Sequence, residues 1–438
     1  MRHGAIESEI MTSEAAMRHD PQIGQDTAPE GLPSSVEVFR PLPRISIHAF
    51  CETERFLTTM AACAQDRRMA KTSLKISHGS IQDASDFFAS ASTPSLLIIE
   101  TLSASAQLLA DLQALAEVCD PTTKVVVVGH HNDVTLYREL IRNGISEYVV
   151  APMSMADMIG TVAALFNDPD AAPLGRLIAF VGVKGGVGAS TLAHNCAWSV
   201  ANLFSDEVIL ADLDLAFGTA NINFDQDPPQ GISEAVYAPE RLDEVFLDRL
   251  LSKCSDRLSL LAAPSMLDRT YDFNSESFRP ILELAQRSTP VTILDVPHMW
   301  CDWTQAVLAD VDEIVLVAAP DLANLRNTKN FMDCLKKLRP NDHAPHLIIN
   351  QVGMPKRPEI AVDDFCDPLE MEPIATIPYD GHLFGTAANG GLMLGETDAK
   401  SPITASISQI AHVVTGRMEV KTSRRRGLGG LLLRLAGK

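Results

Sequence analysis

The fold of this chain is decided by the stretch Ile178-Ala-Phe-Val-Gly-Val-Lys-Gly-Gly-Val-Gly-Ala-Ser-Thr191. Its first part is typical of a buried strand, its glycines of a tight turn, and its end of the start of a helix. Glycines let successive backbone N–H groups face one anion, and the N-terminus of a helix adds partial positive charge. The stretch therefore predicts a phosphate-binding loop, with Ser190 placed to offer its hydroxyl to Mg²⁺.

The loop lacks the lysine that usually precedes its final serine or threonine. Ala189 stands at that position, and Lys184 lies earlier, directly before the glycine pair. One positive charge in a closed phosphoryl-transfer site is worth a few kcal/mol, hence on the order of 10²–10³ in rate. We therefore expect nucleotide binding to persist and hydrolysis to be slow or absent. The alternative interpretation of Lys184 is a solvated loop lysine without a role in the site.

Composition limits the classes of function. The chain has 438 residues, with 36 basic against 56 acidic residues and a formal net charge of −20. An acidic surface repels a phosphate backbone, so DNA is not an expected partner. Eight cysteines without a C-x-x-C pair are typical of free thiols in a reducing compartment. No apolar run reaches the roughly 18–20 residues of a membrane span, and the N-terminus lacks a signal-peptide core, which together predict a cytoplasmic protein.

Two regions alternate short apolar runs with helix-length segments, at residues 44–166 and 176–416. This alternation predicts an α/β protein with two doubly wound parallel sheets. Residues 1–43, poor in core-sized side chains, are predicted to be a disordered leader, residues 167–175 a linker and residues 417–438 a basic tail. The expected strands lie at 45–50, 95–99, 124–128, 146–150, 177–183, 208–211, 258–262, 291–294, 313–317 and 346–349.

The first region resembles a response-regulator receiver domain, which has a flavodoxin-like fold. Its second expected strand ends in Glu100, where receivers carry the phosphoacceptor aspartate. Gly129 replaces the usual Thr or Ser, Ala151 replaces the lysine of the late Lys-Pro pair, and the acidic pair after the first strand is reduced to Glu52, beside Cys51. The resemblance implies a degenerate receiver used as a docking or dimerisation surface. The alternatives are that Glu100 still accepts a phosphoryl group, or that it is an ordinary surface carboxylate at a strand end.

In the second region, polar side chains follow several expected strands. Asp212 and Asp214 follow one strand, Asp295 follows another, and Asn350 ends a late one. Carboxylates at the carboxyl ends of parallel strands can hold Mg²⁺ through water, and an amide can pair with the edge of adenine. An aspartate at such a position is also a common helix N-cap. All four residues in this order, after the glycine-rich loop, predict a nucleotide site.

This ordered set resembles the MinD/ParA family of deviant Walker-A ATPases, whose loop begins Lys-Gly-Gly-x-Gly. The closest fit is to the CpaE/TadZ group, localisation factors of tight-adherence (Flp) pilus assembly. The receiver-like region in front, the loop ending Gly-Ala-Ser-Thr191 and the late segment Ile377-Pro-Tyr-Asp-Gly-His-Leu-Phe-Gly-Thr-Ala-Ala-Asn-Gly-Gly391 carry this resemblance.

The resemblance implies a role for each matching residue, with ATP and Mg²⁺ as the ligands. Lys184 would cross a homodimer interface to the partner's nucleotide and restore part of the missing charge, while Asp214 would orient the attacking water. Ser190, Asp212 and Asp295 would hold Mg²⁺, partly through water. The implied nucleotide-binding residues are Gly185, Gly186, Val187, Gly188, Ala189, Ser190, Thr191, Asn350, Pro378 and Tyr379. The twelve histidines show no metal-ligand spacing, so no metal besides Mg²⁺ is expected.

The last residues, 421–438, contain six basic residues and no acid. Leu428, Leu431, Leu432 and Leu435 fall on one helical face, which is typical of a helix lying on an anionic membrane surface. Gly427, Gly429 and Gly430 weaken that helix. The expectation is peripheral contact with the inner face of the membrane, and the alternative is a floppy basic tail.

These observations leave three functions open. The first is an ATP-binding dimeric switch that recruits pilus or secretion assembly proteins through its receiver-like region and is a weak ATPase at most, with a cytoplasmic or polar location. The second is an active MinD/ParA-type ATPase that cycles between membrane and cytoplasm. The third is a phosphorylated two-component regulator, against which Glu100, Gly129 and Ala151 speak.

Overall fold

The computed structural model describes residues 42, 45–103, 105–166, 174–268 and 270–417. The basic segment 421–438 and, apart from Leu42, the predicted leader lie outside the described residues. Two sheets, each with helices packed on it, make up the described part of the chain. We refer to residues 45–166 as the receiver-like domain and to residues 174–417 as the P-loop domain. The predicted α/β class with two parallel-sheet domains is confirmed.

The receiver-like domain contains five parallel strands in the order β2-β1-β3-β4-β5. Its strands are β1 (Ser46–Cys51), β2 (Ser73–His78), β3 (Leu96–Thr101), β4 (Lys124–Gly129) and β5 (Glu147–Val150). Its helices are α1 (Glu54–Ala64), α2 (Ile81–Phe88), α3 (Ser105–Val118), α4 (Val134–Arg142) and α5 (Met155–Phe166), with a 3-10 turn at Arg67–Met69. The central strand β3 is buried along its whole length, as expected for a strand covered on both faces.

The P-loop domain contains eight strands in the order β13-β12-β11-β6-β10-β7-β9-β8, of which only β8 is antiparallel to its neighbour. Its strands are β6 (Arg176–Gly182), β7 (Val208–Asp212), β8 (Ser252–Lys253), β9 (Leu258–Leu261), β10 (Val291–Val296), β11 (Glu313–Ala318), β12 (His346–Val352) and β13 (Ala375–Pro378). Its helices are α6 (Ala189–Phe204), α7 (Ala220–Asn223), α8 (Ile232–Tyr237), α9 (Glu244–Leu250), α10 (Arg279–Ser288), α11 (Asp302–Asp310), α12 (Leu322–Leu338), α13 (Val362–Cys366), α14 (Gly381–Gly390), α15 (Leu394–Thr397) and α16 (Pro402–Val414), with 3-10 turns at Pro239–Arg241 and Asp367–Leu369.

Strand β6 lies inside the larger sheet, between β11 and β10. Its alternate side chains enter two different cores: Leu177 and Ala179 pack on one face, and Ile178 and Phe180 pack on the other. A strand buried on both faces requires the continuous apolar run that the sequence shows. The glycine-rich loop is thereby held at the carboxyl end of a central strand, where open α/β sheets bind ligands.

The two domains contact each other at the opposite end of the larger sheet. Arg67 Nε donates to Asp342 Oδ2 (2.9 Å), and Arg67 Nη1 donates to the carbonyl of Asp310 (2.9 Å). Its Nη2 lies 3.7 Å from Asp312 Oδ1, and Asp312 accepts a hydrogen bond from the N–H of Leu177, near the amino end of β6. Lys71 forms a second ion pair across the interface, with Glu283. The receiver-like domain is therefore attached where the central strands begin.

Three strands that the sequence did not predict, β2, β8 and β13, and the position of Leu42 differ from the sequence prediction. Strand β2 was not predicted, because it is an edge strand with partly exposed side chains and lacks an apolar run. Leu42, which falls in the predicted leader, is buried in the receiver-like core, and its N–H donates to the carbonyl of Arg68. Among the described residues, no helix combines the length and the apolar character needed to cross a membrane.

Candidate nucleotide-binding site

The glycine-rich loop joins β6 to α6 and adopts a backbone that requires glycine at two positions. Gly186 and Gly188 have φ values of +79° and +88°, which residues with a side chain rarely adopt. A Cβ on Gly188 would lie 2.6 Å from Nδ2 of Asn350, whereas a Cβ on Gly186 would meet nothing within 4 Å. Two features therefore require glycine at position 188: the positive φ angle of the backbone and the close approach of Asn350.

Side chains from outside the loop bind four of its carbonyl oxygens. The bonds run from His298 Nδ1 to Gly182 O (2.8 Å), from Asn327 Nδ2 to Val183 O (2.8 Å), from Gln351 Nε2 to Gly186 O (2.9 Å) and from Asn350 Nδ2 to Val187 O (2.8 Å). Each bond fixes the plane of one peptide group. Because a carbonyl and the following N–H point in opposite directions within a peptide plane, these bonds turn the N–H groups away from their donors.

The N–H groups of the loop are available to a ligand. Among the described residues, those of 184–188 donate to no other protein group, and the N-cap Gly188 supplies no side-chain cap for α6. Ser190 and Thr191 follow in the first turn of α6 and are partly exposed. Unpaired N–H groups at the N-terminus of a 16-residue helix are a site for a phosphate group. The residues present therefore fit a bound nucleotide phosphate.

Lys184 is oriented toward the beginning of a neighbouring helix. Its Nζ lies 3.5 Å from Oδ2 of Asp321, the N-cap of α12, and its side chain is 47% exposed. Burial opposes ionisation of Asp321, but the hydrogen bond from Asn324 and the charge of Lys184 hold the pKa of this carboxyl below its usual range. A long ion pair at an exposed position is weak, so Lys184 can leave it at little cost.

The three predicted carboxylates lie together beside the loop. Asp212 and Asp295 are buried, and Asp214 is half-buried. Burial raises the pKa of Asp212, and the neighbouring Asp295 carboxylate adds to this effect while His194 opposes it. Burial also raises the pKa of Asp214, with a smaller contribution from Asp295. Carboxylates this close together repel each other, so a bound cation would stabilise their charged forms. Carboxylate oxygens are suitable ligands for Mg²⁺.

The three residues predicted to contact adenine occupy two positions. Pro378 and Tyr379 are exposed at the end of β13. Asn350 is buried, and its amide nitrogen is bonded to the loop carbonyl of Val187. In this structure Asn350 therefore supports the loop, and its predicted contact with adenine stays a prediction.

His194 lies in a cluster of ligand-type groups that the spacing of the histidines along the chain did not indicate. It lies in α6, is fully buried, and has a ring nitrogen within 4.8 Å of carboxylate oxygens of Asp212 and Asp295. Spacing along the chain could not reveal this, because the three residues come from three different elements. Gln351, Asn327 and His298, which support the loop, were missed for the same reason.

Glu100 is not the surface carboxylate that the sequence suggested as one alternative. It is completely buried and accepts hydrogen bonds from the N–H groups of Glu52 (2.9 Å) and Thr53 (2.7 Å) and from the Thr53 hydroxyl (2.7 Å). His130 Nε2 lies 3.0 Å from its other oxygen atom, which also faces the Thr53 hydroxyl. Glu100 thus ties the end of β3 to the start of α1.

No protein-family model matches the sequence. The chain is similar to the solved pilus assembly protein CpaE from Caulobacter crescentus CB15, with 44% identity over 30% of this chain and 98% of that chain and a TM-score of 0.29. It is also similar to a solved ParA family ATPase from Chlorobium tepidum TLS, with 23% identity over 54% of this chain and 98% of that chain and a TM-score of 0.50. The septum site-determining protein MinD of Synechocystis is 25% identical over 239 residues, 52% of this chain and 85% of that protein. The likeness to the ParA protein shows the fold of the P-loop domain alone.

Proposed function

The chain belongs to the family of CpaE pilus assembly proteins, being 44% identical to one of them over 98% of that chain, and from this premise we propose that it is an ATP-binding, dimeric localisation and assembly factor. Its target would be a tight-adherence (Flp) pilus or a related secretion machinery. Hydrolysis of ATP by this protein would be slow or absent. The predicted resemblance to the CpaE/TadZ group is thereby confirmed, and the finer statements are proposals.

The observation that carries the proposal is the loop itself. Its carbonyls are bonded from outside, its N–H groups are unpaired within the described chain, and the buried Asp212 and Asp295 lie nearby. Bound Mg²⁺ would supply charge neutralisation of the phosphates. The residues of the chain would do the rest: the loop N–H groups bind the phosphates, Ser190 and the two buried aspartates hold the ion, and Asp214 orients water.

Slow hydrolysis follows from one substitution. Ala189 begins α6 and has no charge, so the loop lacks a fixed cation of its own. Lys184 of the same loop is the candidate replacement, and its side chain is 47% exposed and, among the described residues, is engaged only in a 3.5 Å ion pair with Asp321. We infer that Lys184 leaves Asp321 and reaches the nucleotide of a second subunit, which makes the charge conditional on dimerisation.

The surface around the carboxyl ends of the strands supports pairing with a second copy. Large apolar side chains are exposed there on segments that follow β7, β10 and β11: Phe217 (69%), Met299 (49%), Trp300 (43%) and Leu322 (72%). Exposed apolar groups of this size are typical of protein interfaces. Leu322 directly follows Asp321, the partner of Lys184, so closing this surface would also change the surroundings of the lysine.

Calorimetry and light scattering on the full chain test these statements together. We expect ATP with Mg²⁺ to bind to the wild-type protein and to convert monomer to dimer. The variant Lys184→Ala should bind ATP but remain monomeric. The control Lys329→Ala, which removes an exposed lysine paired with Asp333 on α12, should behave as wild type. No uptake of ATP by the wild type would refute nucleotide binding, and a dimer of Lys184→Ala would refute the role of the lysine.

The second candidate is an active ATPase that cycles between membrane and cytoplasm. The three clustered aspartates favour it, because Asp214 is available to orient an attacking water. Phosphate release distinguishes the two candidates. We expect phosphate release to be slower than that of an ordinary P-loop ATPase by a factor on the order of 10²–10³. A monomer that releases phosphate at an ordinary rate would establish the second candidate instead.

The receiver-like domain is proposed as the docking site for assembly proteins. Glu100 stands where the sequence resemblance puts the phosphoacceptor of a receiver, and its buried carboxylate already accepts three hydrogen bonds from Glu52 and Thr53. Failure of acetyl phosphate to label the protein would agree with this, while labelling at Glu100 would support a phosphorylated regulator. Membrane contact of residues 421–438 is tested by vesicle flotation of the full chain against a chain ending at Thr422.

A further inference from the structure

His194 links two parts of the nucleotide site that the backbone does not connect directly. It lies in the second turn of α6, which begins at the phosphate-binding loop. Its Nε2 lies 3.2 Å from Oδ2 of Asp295, and its Nδ1 lies 2.9 Å from Nδ2 of Asn223, the last residue of α7. The ring therefore bridges a predicted magnesium ligand and a short helix.

The hydrogen-bonding chemistry of this bridge assigns a direction to each bond. A carboxylate oxygen accepts, so Nε2–H donates to Asp295. The remaining ring nitrogen then accepts the amide N–H of Asn223. Both ring nitrogens are thus engaged, which favours a positioning role for His194 over direct ligation of a metal ion.

The short helix α7 is held by the site at both of its ends. At the first residue, the N–H of Ala220 donates to Oδ2 of Asp212 (3.2 Å). At the last residue, Asn223 is held through His194 by Asp295. The two carboxylates that would hold Mg²⁺ are therefore the same groups that fix the position of α7.

The segment that contains α7 carries exposed apolar side chains. Phe217, just before α7, is 69% exposed, and Ile222 within it is 63% exposed. A movement of α7 would change how these two side chains are presented to a partner surface. A short helix held by a few polar bonds moves more easily than one held by a large apolar face.

We propose that His194 and Asn223 couple the nucleotide site to this segment, so that binding of ATP and Mg²⁺ at Asp295 and Asp212 changes the position of α7 and of the apolar side chains Phe217 and Ile222. His194 acts here as a positioning residue. The inference rests on the proposed nucleotide binding and adds the route by which occupancy reaches the surface. It assigns a function to a histidine that is completely buried in α6.

Hydrogen exchange of the full chain, with and without ATP and Mg²⁺, tests the coupling. In the wild type, we expect ATP to slow exchange of residues 216–225. Asn223→Leu keeps the branched shape and the number of side-chain heavy atoms but cannot bond to the ring, and it should remove the ATP-dependent part of this protection. The expected loss is about fivefold in the exchange rate, the factor for one hydrogen bond of about 1 kcal/mol. Asn223→Gln keeps an amide N–H that can donate to Nδ1 and should retain more of the protection than Asn223→Leu.

Two further measurements separate the possible failures. Asn221→Leu, on the same helix but without a bond to His194, should behave as wild type. The affinity for ATP, measured by calorimetry on each variant, should stay within about fivefold of the wild type, since no phosphate contact is removed. Full ATP-dependent protection in Asn223→Leu, or equal losses in Asn223→Leu and Asn223→Gln, would overturn the coupling while leaving nucleotide binding intact. Absence of ATP binding in the wild type would instead overturn the proposed function.

Discussion

Alanine substitutions at Gly185, Gly186 and Gly188 should destabilise the protein to three different extents. The three positions differ in the backbone φ angle and in the space available to a Cβ atom. A Cβ at Gly185 meets nothing within 4 Å, and its φ lies outside the left-handed region, so we expect a change within about 0.5 kcal/mol. Gly186 is equally open but has φ +79°, which costs an alanine about 1–2 kcal/mol.

Gly188→Ala should be the most damaging of the three. It adds to the strain at φ +88° a Cβ only 2.6 Å from Nδ2 of Asn350. The amide must move and release its buried bond to the carbonyl of Val187, which costs about 1–3 kcal/mol more. The expected total is about 2–5 kcal/mol, and the loss of this bond should also weaken ATP binding.

Tryptophan fluorescence during unfolding in urea measures these differences in the free energy of unfolding of the P-loop domain. Trp198, Trp300 and Trp303 are the three tryptophans of the chain, and all lie in the P-loop domain, so the signal reports on that domain alone. In a thermal scan each 1 kcal/mol should lower the Tm by about 2–4 °C. Equal losses for Gly185→Ala and Gly188→Ala, or an unchanged Gly188→Ala, would refute the geometric argument.

Three further outcomes follow from buried charges. Glu100→Ala should destabilise the receiver-like domain by several kcal/mol, since it leaves two backbone N–H groups without an acceptor, while Glu100→Gln should cost less; circular dichroism during unfolding measures both. Burial opposes ionisation of Glu313, but the hydrogen bond with His343 lowers its pKa to about 2, and the same bond raises the pKa of His343. The contribution of Glu313 is lost as the pH falls from about 4.5, and that of His343 is lost as the pH rises above about 6.5. Glu313→Gln should therefore remove a stability maximum between these values, as seen in urea midpoints against pH. Arg67→Ala should loosen the attachment of the two domains by removing the bond to Asp342, visible as a larger radius of gyration in X-ray scattering, whereas unchanged scattering would refute the role of Arg67 in that attachment.

Runs of consecutive apolar residues made most of the fold predictable. The strands that contain Ile178 and Leu97 are buried on both faces, so their sequences are apolar throughout and could be recognised locally. Strand β2 escaped prediction because its partly exposed side chains include Lys75 and Ser77. Only the pairing with β1 stabilises it as a strand, and that pairing is not visible in the residues of β2 themselves.

The residues of the nucleotide site also divide into those that the sequence could predict and those that it could not. Asp212, Asp214 and Asp295 follow recognisable strands, so the carboxyl edge of the sheet brings them together as expected. The side chains that orient the loop and the carboxylates, such as His194 and Gln351, bond to residues that lie more than a hundred positions away in the sequence. Local spacing carries no trace of such contacts, and only the folded arrangement reveals them.

The attachment of the receiver-like domain at Arg67 lies where the central strands begin, about 20 Å along β6 from the nucleotide loop, given its seven residues. If two copies meet across their loops, the two receiver-like domains must end up on the far sides of the pair, facing away from each other. Such a pair is a bivalent bridge that can hold two separate assembly components at once. Each weak contact would then gain strength from the other, and loss of nucleotide would release both together.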